Sequence, residues 1–139
     1  MAHLHLNPYL NFPGNTAEAM EFYHNCIAGS KLEIQLIKDS PMKDQMPPEA
    51  HNNVLHSTLM LEDGTVLFMA ADSMMGQPLV NGNSNSLCLA GELAGIQDAF
   101  EKLSDGATIT YPLRTEFFGT IGQLVDKYGM SWMVQSDEK

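Results

Sequence analysis

Apolar side chains recur with two different periods along this chain. In residues 16–28, and again in residues 92–104, they return every three or four positions, which predicts an amphipathic helix in each half. Asn15 and Gly29 flank the first stretch at positions typical of a helix N-cap and a C′ residue. Shorter apolar or alternating runs predict four strands in each half. These runs cover residues 4–12, 32–38, 54–61 and 65–71, then 85–90, 108–113, 119–126 and 131–135.

The order strand–helix–strand–strand–strand therefore occurs twice, which predicts an α+β fold made of two βαβββ modules. We expect the modules at residues 4–72 and 85–135, within a single domain spanning residues 1–139. Residues 39–53 contain three prolines and no apolar period, so they are predicted to form a long surface loop. Residues 72–84 are predicted to be a polar linker. Because neither half is large enough to bury its sheet alone, the halves should pack together.

Charge changes this picture by excluding classes of partner. The chain has 139 residues, with 17 Asp and Glu against 7 Lys and Arg, and a formal net charge of −10. Nucleic acids and anionic membrane surfaces are bound by clustered basic residues, which this sequence lacks. The two cysteines, Cys26 and Cys88, have no C-x-x-C spacing, and we expect both to be buried and reduced. With no secretory signal and no membrane-spanning apolar run, the sequence predicts a cytoplasmic protein.

Three groups of segments carry a resemblance to a known family. They are Asn-Pro-Tyr-Leu-Asn-Phe at 7–12 with 14–15 and 18–23, then His56 with 63–64 and 69–72, and then 117–119, 126–129 and Trp132. Together they resemble the PhnB-like branch of the glyoxalase/bleomycin-resistance/dioxygenase superfamily, also called vicinal oxygen chelate. This branch is often labelled a 3-demethylubiquinone-9 3-methyltransferase domain. The resemblance implies paired βαβββ modules with curled mixed sheets, each forming a half-open cup, and a homodimer.

In metal-dependent relatives, the resemblance implies four ligands from the first and last strands of the two modules. Strand alternation places Asn7 and Tyr9 on the cup side of the first strand. The four ligand positions then fall near Asn7, Phe68 or Met69, Ser86, and Met133. None of these is a strong ligand for Mg²⁺, Fe²⁺ or Zn²⁺, so we expect no metal cofactor. A shifted metal site formed by His5, His56 and Glu116 stays open as an alternative. It would need three strands to converge, which sequence alone does not establish.

The other candidate residues each have a structural alternative. His56 is a general base or a hydrogen-bonding ligand contact, or else a structural histidine. Glu116, beside two phenylalanines, has a raised pKa if it is buried, or else lies exposed on a loop. Asp72, at a strand end, caps a turn or holds a cationic ligand. Tyr9 and Trp132 line a pocket or belong to the core.

These observations predict a metal-independent small-molecule binding protein whose ligand remains unnamed. Its expected ligand-binding residues are Asn7, Tyr9, His56, Phe68, Ser86, Glu116, Trp132 and Met133. No residue is assigned a catalytic role. The alternatives are a metal-dependent lyase, isomerase or dioxygenase of the same fold, and an interaction module with a filled cup. Methyl transfer has no support in the sequence, because no strand-to-helix turn is glycine-rich.

Overall fold

A computed structural model describes residues 3–73 and 78–139 of the chain. These residues contain two α-helices and eight strands, and the strands form two four-stranded mixed sheets. The α+β prediction is therefore confirmed. The first half contains β1 (Tyr9–Phe12), α1 (Thr16–Cys26), β2 (Ser30–Leu36), β3 (Val54–Leu61) and β4 (Val66–Asp72). The second contains β5 (Leu87–Ala90), α2 (Leu93–Leu103), β6 (Thr108–Glu116), β7 (Gly119–Val125) and β8 (Ser131–Ser136).

The chain forms two compact units. The first consists of Met1–His24 with Gly29–Leu79, and the second of Asn25–Ala28 with Val80–Lys139. The strand order is β1-β4-β3-β2 in the first sheet and β5-β8-β7-β6 in the second. In each sheet the two strands that start and end the repeat run parallel, and the other pairs are antiparallel. The repeated order predicted from sequence is therefore the repeated topology of the structure.

Helix α1 covers one face of the first sheet with aromatic side chains. The Tyr23 ring lies edge-on to Phe68 of β4 at 5.6 Å between centroids and 6.4 Å from Phe12 of β1. All three side chains are almost fully buried, and burying a large apolar side chain contributes about 1.5–3 kcal/mol. We call this the helix face of the first sheet, and the opposite side its helix-free face.

Helix α2 covers one face of the second sheet in the same way. A Cβ added at Gly122 of β7 would lie 2.8 Å from the Phe100 ring and 3.1 Å from a methyl of Leu113, so helix and strand approach closely there. Leu124, Trp132 and Val134 point to the same side and are buried. The names helix face and helix-free face apply to this sheet as well.

Two elements differ from the predictions in ways that matter for the site. Strand β1 begins at Tyr9, because its pairing with β4 begins at Tyr9 and Met69, and Leu4 and Leu6 remain almost fully exposed. Strand β6 extends to Glu116, so this residue lies on a strand and not on a loop.

The predicted surface loop is structured in part, and the predicted linker is described in part. The loop contains three short 3₁₀ helices, Ile37–Asp39, Pro41–Gln45 and Pro48–Ala50, and proline fits the start of the last two because no hydrogen bond needs its missing N–H there. Residues 74–77 of the predicted linker lie outside the described residues. No helix within 3–73 or 78–139 is long and apolar enough to cross a bilayer.

Candidate functional site

The helix-free face of the first sheet carries a set of side chains that strand register brings side by side. One row across the sheet runs from Tyr9 to Met69 and Thr58, and ends at the exposed Glu33. The next row contains Asn11 and Ala71, followed by His56 and Gln35. Paired residues point to the same side of a sheet, so these side chains share one surface.

His56 is held between two hydroxyl groups on this surface. Its Nδ1 lies 3.2 Å from the Tyr9 hydroxyl and its Nε2 lies 3.2 Å from Thr58 Oγ1. The rings of Tyr9 and His56 are also close, with 5.8 Å between centroids. His56 is half-buried, whereas Tyr9 is 46% exposed, so the tyrosine ring is accessible to solvent. Neither contact of His56 was predicted from the sequence, although Tyr9 was predicted to be a ligand-binding residue.

Asn7 lies beside this surface, just before β1. Its amide Nδ2 donates a 3.4 Å hydrogen bond to the carbonyl of Val66, the first residue of β4. The side chain is half-buried. Asn7 therefore links the segment before β1 to the first residue of β4. It lies two residues before Tyr9, so strand alternation would put both side chains on the same face.

The placement of Phe68 on the cup side is wrong. Phe68 pairs with Leu59, points to the helix face and is buried against Tyr23. Met69 is the residue of β4 that points to the helix-free face, in the row of Tyr9. The sequence left the choice between Phe68 and Met69 open, because the phase of β4 is not visible in a run of consecutive apolar residues.

On the second sheet, register again defines a row on the helix-free face. Cys88 of β5 pairs with Met133 of β8, which pairs with Gln123 of β7 and, beyond it, Tyr111 of β6. Cys88 is exposed, which corrects the expectation that it is buried. Ser86 is exposed and immediately precedes β5.

Trp132 is not a surface residue of this row. It is 3% exposed on the helix face, and its indole N–H donates a 2.8 Å hydrogen bond to Asp126 Oδ2. The other carboxylate oxygen of Asp126 accepts from the backbone N–H groups of Tyr128 and Met130. The structure therefore places the Trp132 ring in the core, the alternative held open for this residue, and its N–H binds the turn between β7 and β8.

Glu116 belongs to a third cluster, on β6. Its Oε1 accepts hydrogen bonds from the Tyr111 hydroxyl and from Arg114 Nε, each 2.7 Å long. The Tyr111 hydrogen bond, together with that of Arg114, lowers the pKa of the Glu116 carboxyl below its ordinary value. Glu116 is thus an ionised acceptor, and the alternative of a buried acid with a raised pKa is ruled out. Arg114 and Tyr111 were missed; the signal was that Arg114 is the one arginine in the sequence.

Asp72 has a structural role. Its Oδ1 accepts hydrogen bonds from the backbone N–H and the hydroxyl of Thr16, at 3.0 and 2.6 Å. Its Oδ2 accepts a 2.8 Å hydrogen bond from the N–H of Val54. Asp72 therefore satisfies the first turn of α1, the task expected of Asn15, and also the first residue of β3.

Metal-ligating side chains do not gather in the described part of the chain. Within residues 3–73 and 78–139, no three His, Cys, Asp or Glu side chains lie close enough to hold one ion. Of the shifted set, His5 and His56 belong to the first unit and Glu116 to the second. The residues at the expected ligand positions on the helix-free faces are an amide, a hydroxyl and two thioethers: Asn7, Met69, Ser86 and Met133.

A surface pocket of about 500 Å³ lies at one end of the second sheet. It is formed by the end of β5 with the turn into α2, and by the end of β8 with the residues that follow it, among them Glu92, Asp137 and Glu138. Glu138 closes one side, where its carboxylate accepts a 3.3 Å hydrogen bond from the N–H of Leu93 at the start of α2. None of the candidate binding residues lines this pocket.

The family model described as 3-demethylubiquinone-9 3-methyltransferase matches residues 5–135. The chain belongs to this PhnB-like family. A putative 3-demethylubiquinone-9 3-methyltransferase, PhnB protein, from Bacillus cereus is similar to this PhnB-like chain, with 29% identity and a TM-score of 0.77. The match covers 96% of this chain and 99% of that one. No curated protein matches the sequence.

Other solved structures share the fold of the PhnB-like chain. A protein from Pseudomonas aeruginosa is 28% identical, with a TM-score of 0.83 over 99% of this chain and 100% of that one. A glyoxylase/bleomycin resistance protein/dioxygenase domain from Frankia is 13% identical, with a TM-score of 0.62 over 98% of each chain. At that identity the likeness shows the fold alone, which is that of the vicinal oxygen chelate superfamily.

Proposed function

We propose that this PhnB-like protein binds a small organic molecule on the helix-free face of its first sheet, without a metal ion. The observation that carries the proposal is the Tyr9–His56–Thr58 hydrogen-bonded group on a sheet face that also carries the half-buried Met69. The hydrogen-bonding groups of this face lie beside the Tyr9 ring and the Met69 thioether, and placed polar groups next to aromatic and apolar contacts are typical of small-molecule sites. Asn7, at the edge of this face, would add an amide to the same site.

The donor set supports metal independence. Hard divalent ions prefer imidazole and carboxylate ligands, whereas thioether sulfur is soft. Met69 and Met133 supply thioethers where a metal-dependent relative would need such ligands, and Asn7 and Ser86 supply neutral oxygens. These residues do not fit a catalytic Mg²⁺, Fe²⁺ or Zn²⁺ site, and we derive no reaction through one.

Methyl transfer is not part of the proposal, although the family description names it. Nucleotide-derived cofactors are commonly bound by glycine-rich turns between a strand and a helix. In this chain, Pro13-Gly14-Asn15 follows β1 and Gly91-Glu92 follows β5, so each turn has a single glycine.

The family likeness also supports a cytoplasmic homodimer, which light scattering and cell fractionation would test.

A ligand screen by thermal shift tests the proposal. The full chain would be screened against small organic molecules in buffer containing EDTA, and ligands would be ranked by the rise in melting temperature. A ligand at 100 times its Kd should add about 2.7 kcal/mol to the free energy of unfolding. His56→Ala and Tyr9→Phe should weaken the best ligands, whereas His3→Ala, an exposed histidine outside the site, should not.

Two results would overturn the proposal. Equal binding by His56→Ala and by the unchanged protein would place the ligand elsewhere. Binding that disappears with EDTA and returns with Mn²⁺ or Zn²⁺ would instead favour a metal-dependent lyase, isomerase or dioxygenase of this fold.

A further inference from the structure

Strand β6 places three polar side chains together on the helix-free face of the second sheet. From Tyr111 to Arg114 the strand advances three residues, while its partner β7 advances two, from Gln123 to Ile121. In a regular strand, Tyr111 and Arg114 would point to opposite faces. The extra residue is a β-bulge, which brings both side chains to one face, where both contact Glu116.

The Arg114 guanidinium is held on two sides. Its Nε donates to Glu116 Oε1 at 2.7 Å, and its central carbon lies 4.9 Å from the centre of the Tyr111 ring. The Tyr111 hydroxyl donates to the same Glu116 oxygen, which fixes the carboxylate in turn. Such contacts orient the planar group in advance, so less side-chain entropy is lost when a ligand binds.

The terminal NH₂ groups of Arg114 remain available for a ligand. Within residues 3–73 and 78–139, they have no hydrogen-bond partner, and the side chain is 61% exposed. Two parallel N–H donors of a guanidinium match the two oxygens of a carboxylate or a phosphonate. A chain with a net charge of −10 does not attract anions in general, so an anion would need these direct contacts.

Apolar side chains continue the surface beyond Arg114. Arg114 pairs with Ile121, and Met133 lies on the same face beyond Gln123. A ligand held at Arg114 would thus extend over half-buried aliphatic and thioether groups. This arrangement favours an oxyanion attached to an apolar body over a free inorganic ion.

We propose that Tyr111, Arg114 and Glu116 form a binding site for small organic acids, in which the terminal NH₂ groups of Arg114 bind the acid's oxyanion. Arg114 contacts the ligand, and Glu116 and Tyr111 are positioning residues. The site lies on β6 of the second sheet, shares no residue with the Tyr9–His56–Thr58 group and does not depend on the proposed function.

Binding of simple aromatic acids to the full chain tests this site. Benzoate and phenylphosphonate are the two oxyanion probes, and benzamide is the neutral control of the same shape; affinities would be measured by NMR titration. We expect benzoate to bind and benzamide not to bind. Arg114→Gln should weaken benzoate binding about tenfold or more, since a charge-assisted contact is lost. Arg114→Lys should also weaken it, because lysine lacks the two-pronged geometry.

Matched variants separate this site from general charge effects. Lys102→Gln removes one positive charge from an exposed ion pair with Asp98 on α2, and it should leave benzoate binding unchanged. Tyr111→Phe removes the hydroxyl that fixes Glu116 and should weaken binding less than Arg114→Gln. His56→Ala should have no effect, so failure here and failure of the proposed function are distinguishable. Circular dichroism would verify that each variant is folded.

The binding of the two acids and the effect of Arg114→Gln decide whether this site exists. Benzoate binding without phenylphosphonate binding assigns a carboxylate site, and binding of both assigns a site for either oxyanion; each supports the proposal. No binding of either acid, or equal binding by folded Arg114→Gln, overturns it.

Discussion

Single carboxylates in this protein connect elements that are distant in sequence. Asp72 ends β4, yet its two oxygens accept hydrogen bonds from the first residues of α1 and β3. It is 4% exposed, so water cannot replace those bonds. One side chain thereby fixes where a helix and a strand begin.

Replacing Asp72 should therefore destabilise the protein. Asp72→Ala leaves the N–H groups of Thr16 and Val54 buried without acceptors, and we expect a loss of about 2–4 kcal/mol in the free energy of unfolding. Urea unfolding followed by circular dichroism measures the loss. Asp44→Ala makes the same charge change at an exposed residue and should have little effect. Equal stability of the two variants would contradict the structural role of Asp72.

The two cysteines should differ sharply in reactivity. Burial raises the pKa of the Cys26 thiol to about 11, whereas Cys88 is exposed on β5. Because the thiolate is the reactive form, Cys26 should resist thiol reagents near pH 7. We expect Ellman's reagent to titrate one thiol in the native protein and both in denaturant. A Cys88→Ser variant that still shows a rapidly reacting thiol would contradict this assignment.

At the scale of elements, β6 departs from the regular alternation of side chains at two β-bulges. Its bulges turn Tyr111, Arg114 and Glu116 to one face. The hydrogen bond from Tyr111, and then that from Arg114, keeps the pKa of Glu116 low, so these contacts favour its ionised form in the folded state. Their stabilising contribution is present above the unfolded-state pKa and is lost as the pH falls through the folded-state pKa.

The stability of the β6–β7 hairpin should therefore depend on Glu116 in a pH-sensitive way. The melting temperatures of the unchanged protein and Glu116→Gln should differ at about pH 7 and converge toward about pH 3. Differential scanning calorimetry across that range measures the convergence. A difference that is constant with pH, or larger in acid, would contradict the Glu116 contacts.

The turn between β6 and β7 depends on a glycine. Gly119 has a φ of +136°, and a Cβ there would collide with the carbonyl oxygen of Ser136 on β8. Gly119→Ala should lower the free energy of unfolding by about 2 kcal/mol or more. Gly95→Ala, in α2 with open space around it, should be neutral or stabilising, since alanine favours helices. If Gly119→Ala were as stable as Gly95→Ala, the close approach of β7 and β8 would be wrong.

The elements were predictable where hydrophobic periodicity determines them, and the site was predictable only where strand phase was visible. Alternation from Tyr9 to Phe12 placed Tyr9 opposite the helix, and the structure agrees. The apolar run in β4 hid its phase, so Phe68 was assigned to the wrong face. The bulges of β6 depend on pairing with β7, which local sequence does not show, so Tyr111 and Arg114 were missed. The sequence did not decide between pocket and core for Trp132, because local sequence does not show its hydrogen bond to Asp126.

At the scale of the whole molecule, acidic charge exceeds basic charge by ten. The ion pairs Asp98–Lys102, Arg114–Glu116 and Asp105–Lys127 lie at the surface with partly exposed partners, and the charge attraction of a surface pair contributes little by itself. Self-repulsion among the excess carboxylates should therefore dominate the response to salt.

Salt should stabilise this protein. Raising NaCl from about 10 mM to about 200 mM shortens the screening length several-fold and should raise the melting temperature. Measurements in NaCl and KCl should agree if the effect is simple screening. A melting temperature that falls with salt would show that attractive ion pairs outweigh the repulsion.

The parallel pairing of the first and last strands in each unit bears on how the chain folds during synthesis. Among the described residues β1 pairs with β4 alone, so the strand gains its partner only after Met69 has been synthesised. β5 likewise gains its parallel partner only after β8 has been synthesised. Long-range parallel contacts close late because the intervening chain must first be ordered. Each unit thus becomes complete at its final strand, and the first can close while the second is still being translated.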